Sequence, residues 1–96
     1  MKLSYNKQEL CSICDRQDIA YLGLFGSYAR GEAHKDSDVD MVIEFTTTKS
    51  LFELARVQET LKKTFGKEVD LVLRGSIKPQ LKTAILSDVK TLYEKE

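Results

Sequence analysis

The chain has 96 residues, 42% of them apolar, and its 15 basic and 15 acidic residues give a formal net charge of zero. That length predicts one compact domain over residues 1–96, with no room for separate acceptor-binding domains. The interspersed charge argues against an extended nucleic-acid surface, and the longest apolar run, residues 19–25, is too short for a membrane span. Met1 to Asn6 lacks the apolar core of a signal peptide, so a cytoplasmic location is expected.

Residues 6–17 read as an amphipathic helix, with Asn6 as N-cap, Glu9 in the capping-box position and Leu10, Ile13 and Cys14 on one face. Cys11 and Cys14 form a C-x-x-C inside this helix. A zinc site needs two further ligands and the one histidine is His34. A redox motif would stand at a helix start after a strand, so ordinary helix packing is the better reading. Ile19 to Phe25 reads as a buried strand, and the segment 26–35 holds at most one short helix, around Ser27 to Arg30. Val39 to Phe45 is a second strand, with Val39, Met41, Ile43 and Phe45 on one face and Asp40, Val42 and Glu44 on the other.

Thr46 to Lys49 is a polar loop. Ser50 and Glu53 then form a capping box for a helix to Phe65, with Leu51, Leu54, Ala55, Gln58 and Leu61 turned inward and Gly66 as C-cap. Glu68 to Leu73 reads as a third strand, with Val69, Leu71 and Leu73 on one face and Asp70 and Val72 on the other. Gly75 and Ser76 break the chain. Pro79 opens a last helix running to about Tyr93, with Leu81, Ala84, Ile85, Val89 and Leu92 inward. This order predicts an α/β (α+β) domain with a small mixed sheet, helices mainly on one face and the other face open.

The chemistry concentrates between the first two strands, in Gly26-Ser27-Tyr28-Ala29-Arg30-Gly31 and Asp36-Ser37-Asp38-Val39-Asp40. Gly26 permits a positive φ or a close backbone approach. Ser27 brings a hydroxyl and an amide to a helix start, where free N–H groups suit a phosphate, although a plain serine cap uses the same groups. Asp38 and Asp40 lie two apart on an extended chain, so they share a face about 6.6 Å apart. If the strands are neighbours, Asp70 emerges on that face too. Two carboxylates about 5 Å apart at an effective dielectric of about 20 repel by roughly 3 kcal/mol. Three of them call for protonation or a cation, and Mg2+ suits such oxygen ligands. Arg30 can reach a phosphate, or equally brace the loop through Glu32, Asp36 or Asp38. His34 and Lys35 read as solvated loop residues.

Gly-Ser, ten residues, then Asp-x-Asp resembles the signature of the nucleotidyltransferase superfamily related to DNA polymerase β. The flanking residues are most similar to its minimal (MNT) branch, single-domain proteins often found as antitoxin partners of HEPN-domain toxins. The resemblance implies a nucleotidyltransferase fold, two Mg2+ ions held by Asp38, Asp40 and Asp70, and a triphosphate met by Gly26, Ser27 and Arg30. It also implies AMP transfer from ATP to a tyrosine hydroxyl of a HEPN ribonuclease toxin, within a hetero-oligomer. Two alternatives stand beside it. One is an antitoxin that neutralises by covering its partner, its nucleotide site weak or vestigial. The other is a small-molecule nucleotidyltransferase resembling those that modify aminoglycosides.

Overall fold

A computed structural model describes residues 3–95. In chain order it contains α1 (Lys7–Arg16), β1 (Ile19–Phe25), α2 (Ser27–Arg30), β2 (Val39–Phe45), α3 (Leu51–Phe65), β3 (Val69–Leu73), a single 3-10 turn at Arg74–Ser76, α4 (Pro79–Asp88) and β4 (Lys90–Glu94). The four strands form a mixed sheet in the order β3-β2-β1-β4. β1 runs antiparallel to β2 and β4, and β2 runs parallel to β3. The parallel pair requires a crossover, and α3 supplies it.

Local chemistry sets the element ends. The Glu9 N–H donates to Asn6 Oδ1 at 2.9 Å, starting α1. At α3 the capping box closes both ways: Glu53 N–H donates to Ser50 Oγ at 3.2 Å and Ser50 N–H to Glu53 Oε1 at 3.1 Å. Gly66, with φ 67°, ends that helix in the left-handed region. Ser50→Ala should therefore destabilise the protein by about 1 kcal/mol, a drop in Tm of about 4–8 °C that thermal denaturation would register.

One side of the sheet carries the core. Leu22 and Leu24 from β1 and Met41 and Ile43 from β2 pack with Leu10 and Cys14 of α1 and Val57, Leu61 and Phe65 of α3. Burial pushes the Cys14 thiol up to about 12, in keeping with a packing role. The inward stripe of α3 is rotated from the expected one. Leu51 is 83% exposed and Ala55 is also exposed, while Val57 and Phe65 are buried. The capping geometry makes Leu51 the first residue of the helix, at the mouth of a cleft beside Phe45 and Leu73 rather than in the core.

The largest departure from expectation lies at the C-terminal end. The helix expected to reach Tyr93 stops at Asp88, Val89 is extended, and residues 90–94 form an edge strand on β1. Ile85, Val89 and Leu92 mimic a helical stripe, but Thr91 and Tyr93 favour a strand, and the unpaired edge of β1 offers hydrogen bonds that a free helix end does not. Leu81 and Ala84, expected inward, are exposed. The second face of the sheet is consequently open only in part. Val89 sits against Gly23, Arg74 lies 4.9 Å from the centre of the Tyr21 ring, and Tyr21 shares a 3.1 Å hydrogen bond with Thr91. The uncovered part is the end that carries the carboxylates. Among the described residues no helix is long and apolar enough to cross a membrane.

Candidate active site

Strand register assembles the site. Asp40 is the second residue of β2 and pairs with Phe25 of β1 on one side and Asp70 of β3 on the other. Paired residues in adjacent strands project to the same face, so Asp40 and Asp70 stand side by side on the uncovered face. Asp38, two residues earlier, is exposed just before β2 begins. The Val39 N–H donates to the Glu68 carbonyl at 2.8 Å, fixing where the two parallel strands meet. Gln58 of α3 adds a 2.7 Å bond from Nε2 to the Val69 carbonyl, holding the backbone beside Asp70.

The three carboxylates feel one another. Burial, then the charges of Asp70 and Asp38, push the Asp40 carboxyl above its ordinary value, and the Arg30 guanidinium pulls partly the other way. Among the described residues no group of three or more His, Cys, Asp or Glu side chains is arranged to hold a metal ion, so Asp38, Asp40 and Asp70 do not converge as closely as the sequence reading expects. Mg2+ can bind through as few as one or two carboxylates and complete its shell with water and substrate phosphates.

Gly26 closes the other side of the site. Its φ of 74° and ψ of −151° place it in a region nearly confined to glycine. A Cβ there would overlap the Asp40 carboxylate and lie 3.2 Å from its Cγ. The glycine thus lets the strand end run directly against the Asp40 carboxylate, and Ser27 opens α2 next to it. The one turn of α2 is closed by Arg30 N–H donating to Gly26 O at 3.1 Å and by Gly31 in the left-handed region. Its first amides have no intrahelical acceptor, which leaves them available to an anion.

Arg30 engages two carboxylates: Nε donates to Glu32 at 2.7 Å and Nη1 to Asp88 at 2.9 Å. Bracing by Glu32 was among the sequence expectations, whereas Asp88 lay inside the misread C-terminal helix and gave no local signal. His34 and Lys35 are exposed, as expected, and the loop that carries them is held by turn hydrogen bonds. Ser37 N–H donates to the His34 carbonyl at 2.9 Å, His34 N–H to Ser37 Oγ at 3.0 Å and Asp36 N–H to His34 Nδ1 at 3.3 Å. Lys67 Nζ donates to the Lys35 carbonyl at 3.1 Å. Serine three residues after His34 is a turn signature readable in the sequence; the Lys67 contact, from 32 residues away, is not.

A cleft of about 620 Å3 lies elsewhere, lined by Phe45, Lys49, Leu51, Leu73 and Arg74 among others. Phe45 is five residues along β2 from Asp40, about 17 Å away, so this cleft is separate from the carboxylates.

The sequence profile described as the nucleotidyltransferase domain matches residues 7–92. The chain is 38% identical over 87 residues to the protein adenylyltransferase MntA of Thermococcus cleftensis, covering 91% of this chain and 85% of that one. It is 38% identical over 88 residues to a provisionally named protein adenylyltransferase of Methanocaldococcus jannaschii, covering 92% and 95%. Among solved structures, a provisionally assigned minimal nucleotidyltransferase superposes with a TM-score of 0.75 at 32% identity, over 88% of this chain and 86% of that one. A toxin–antitoxin complex with AMP-PNP shares the fold, with a TM-score of 0.77 at 22% identity over 95% of this chain and 75% of that one. With the Gly-Ser turn and the paired carboxylates set within a match that spans nearly the whole chain, this protein belongs to the nucleotidyltransferase domain family.

Proposed function

We propose that residues 1–96 form a Mg2+-dependent protein adenylyltransferase that moves AMP from ATP to a hydroxyl acceptor, a tyrosine of a HEPN ribonuclease toxin. In this reading the chain is the antitoxin, acts in the cytoplasm where ATP is abundant, and forms a hetero-oligomer with its target. The observation that carries it is the register that sets Asp40 beside Asp70 while Gly26 abuts Asp40. Relatives support the acceptor class: one is named a protein adenylyltransferase, and one fold neighbour is an MNT antitoxin in complex with a tri-AMPylated HEPN toxin of Shewanella oneidensis.

The donor set fits Mg2+. Asp38, Asp40 and Asp70 are hard oxygen ligands; burial first, and then the charges of Asp70 and Asp38, push the Asp40 carboxyl up, and a cation offsets both costs. When bound, Mg2+ neutralises charge on the triphosphate and makes the attacking hydroxyl more acidic. Gly26 and Ser27 bind the phosphates through backbone amides and the serine hydroxyl, and Arg30 adds its charge. Asp70 accepts the acceptor's proton as its oxygen bonds to the α-phosphorus and the bond to pyrophosphate breaks. Because β2 and β3 hold Asp40 and Asp70 rigidly, the groups are aligned before the charge develops.

The test is a transfer assay with α-labelled ATP, Mg2+ and the purified HEPN partner, read by intact mass. A gain of one or more AMP units on the partner, absent with Asp38→Asn, is the expected result. A stable complex that blocks the partner without any mass gain would instead assign neutralisation to binding.

A further inference from the structure

We infer that Asp88 is a positioning residue for the nucleotide site, acting through Arg30; the inference rests on the adenylyl-transfer reading above. Arg30 closes the α2 turn that begins at Gly26, its N–H donating to the Gly26 carbonyl at 3.1 Å, and Gly26 abuts Asp40, so its placement matters to whatever occupies the carboxylates. Its guanidinium is held from two directions. Glu32, two residues away in sequence, takes Nε, and Asp88, 58 residues away, takes Nη1. One arm is local and moves with the α2 turn. The other is anchored in a different part of the fold, at the last residue of α4, immediately before the chain becomes edge strand β4.

This two-point tether fixes a planar, five-donor group that a single contact would leave free to rotate. The two bonds engage two of the five N–H donors, and the Arg30 side chain remains 46% exposed. Donors therefore remain for a triphosphate oxygen while the guanidinium keeps its orientation. Asp88 itself is 31% exposed, so the pair adds little to fold stability; its effect is on where the arginine points. The tether also joins the site to α4, which has no buried residue. Val89, next in the chain, fits against Gly23 of β1.

The test is binding of Mg·ATP to the full chain by isothermal titration, with a parallel determination of KM and kcat in the transfer assay. Asp88→Asn keeps the size of the side chain and removes its charge. It should weaken Mg·ATP binding and raise KM by about fivefold, with kcat changed less than about twofold, as expected when ground-state and transition-state binding are lost together. In an Arg30→Ala background, Asp88→Asn should have no further effect, because the residue acts through the arginine. Equal affinity of Asp88→Asn and the unsubstituted chain, or additive losses in the double variant, would overturn the inference and leave the transfer reading intact. Failure of the unsubstituted chain to bind Mg·ATP would overturn both.

Discussion

Asp40→Asn is expected to reduce AMP transfer on the order of 1,000-fold while raising the melting temperature of the metal-free protein by about 3 °C. The first effect follows from its central place under the proposed mechanism: Asp40 lies between Phe25 and Asp70 in the sheet and against Gly26. The second follows from the cost of its charge. Burial and the charges of Asp70 and Asp38 raise the Asp40 pKa above the ordinary 3.8. The folded protein therefore holds this proton more tightly than the unfolded chain, and stability from this group falls as pH rises from 3.8 through the raised value. Above that value the penalty is complete, and asparagine removes it. Solvent screening keeps the gain small, since Asp40 is only partly buried.

Thermal melts in EDTA across pH check this directly. The advantage of Asp40→Asn should be full near neutrality and vanish below the ordinary carboxylate range. Added Mg2+ should stabilise the unsubstituted chain more than the variant, by mass action on the folded state. A variant that melts lower than the parent at neutral pH, or that retains transfer, would contradict the assignment.

Why Asp40 and Asp70 could be paired from the sequence, and Arg30 and Asp88 could not, has a physical basis. Strand parity is a local rule with a period of two, and both β2 and β3 are short, apolar and sharply bounded. Once they are neighbours, the faces of Asp40 and Asp70 follow. The Gly26 turn is equally legible, because a glycine between a buried strand and the serine that opens a helix signals a special backbone, although Gly26 itself, not Ser27, is the N-cap and no side chain caps the helix. What parity does not supply is the partner across the turn, so the contact of Gly26 with Asp40 emerges only from the packed sheet. The C-terminal segment was misread for a related reason. Residues 85–92 satisfy a helical period, and what decides for a strand is the free edge of β1, more than 60 residues earlier. Asp88 inherits that error, since its contact with Arg30 exists only because the helix stops there. Leu51 shows the same limit within α3, where helical periodicity fixes relative but not absolute rotation about the axis.

Gly26→Ala is expected to lower transfer at least about 100-fold and the melting temperature by about 10 °C, a loss of about 2 kcal/mol. Two costs combine. The backbone stands at φ 74° and ψ −151°, a conformation that costs an L-residue about 1–3 kcal/mol. The added Cβ also meets Asp40, overlapping its carboxylate and lying 3.2 Å from Cγ and 3.3 Å from Cβ. Relief requires Asp40 to rotate away from Asp70 or the Gly26–Ser27 turn to lift, and either movement separates the amides proposed to bind phosphate from the carboxylates. Gly31→Ala separates the two costs. Gly31 also has φ 74°, yet a Cβ there meets nothing within 4 Å, so that variant carries backbone strain alone and should keep most of its transfer activity. Combining Gly26→Ala with Asp40→Ala provides the complementary check, read by stability because Asp40→Ala is expected to abolish transfer on its own. Removal of the carboxylate should return part of the stability lost in Gly26→Ala, a coupling on the order of 1 kcal/mol. Strict additivity would mean that the turn and the carboxylate are energetically independent, and the role of Gly26 would then be confined to its own backbone.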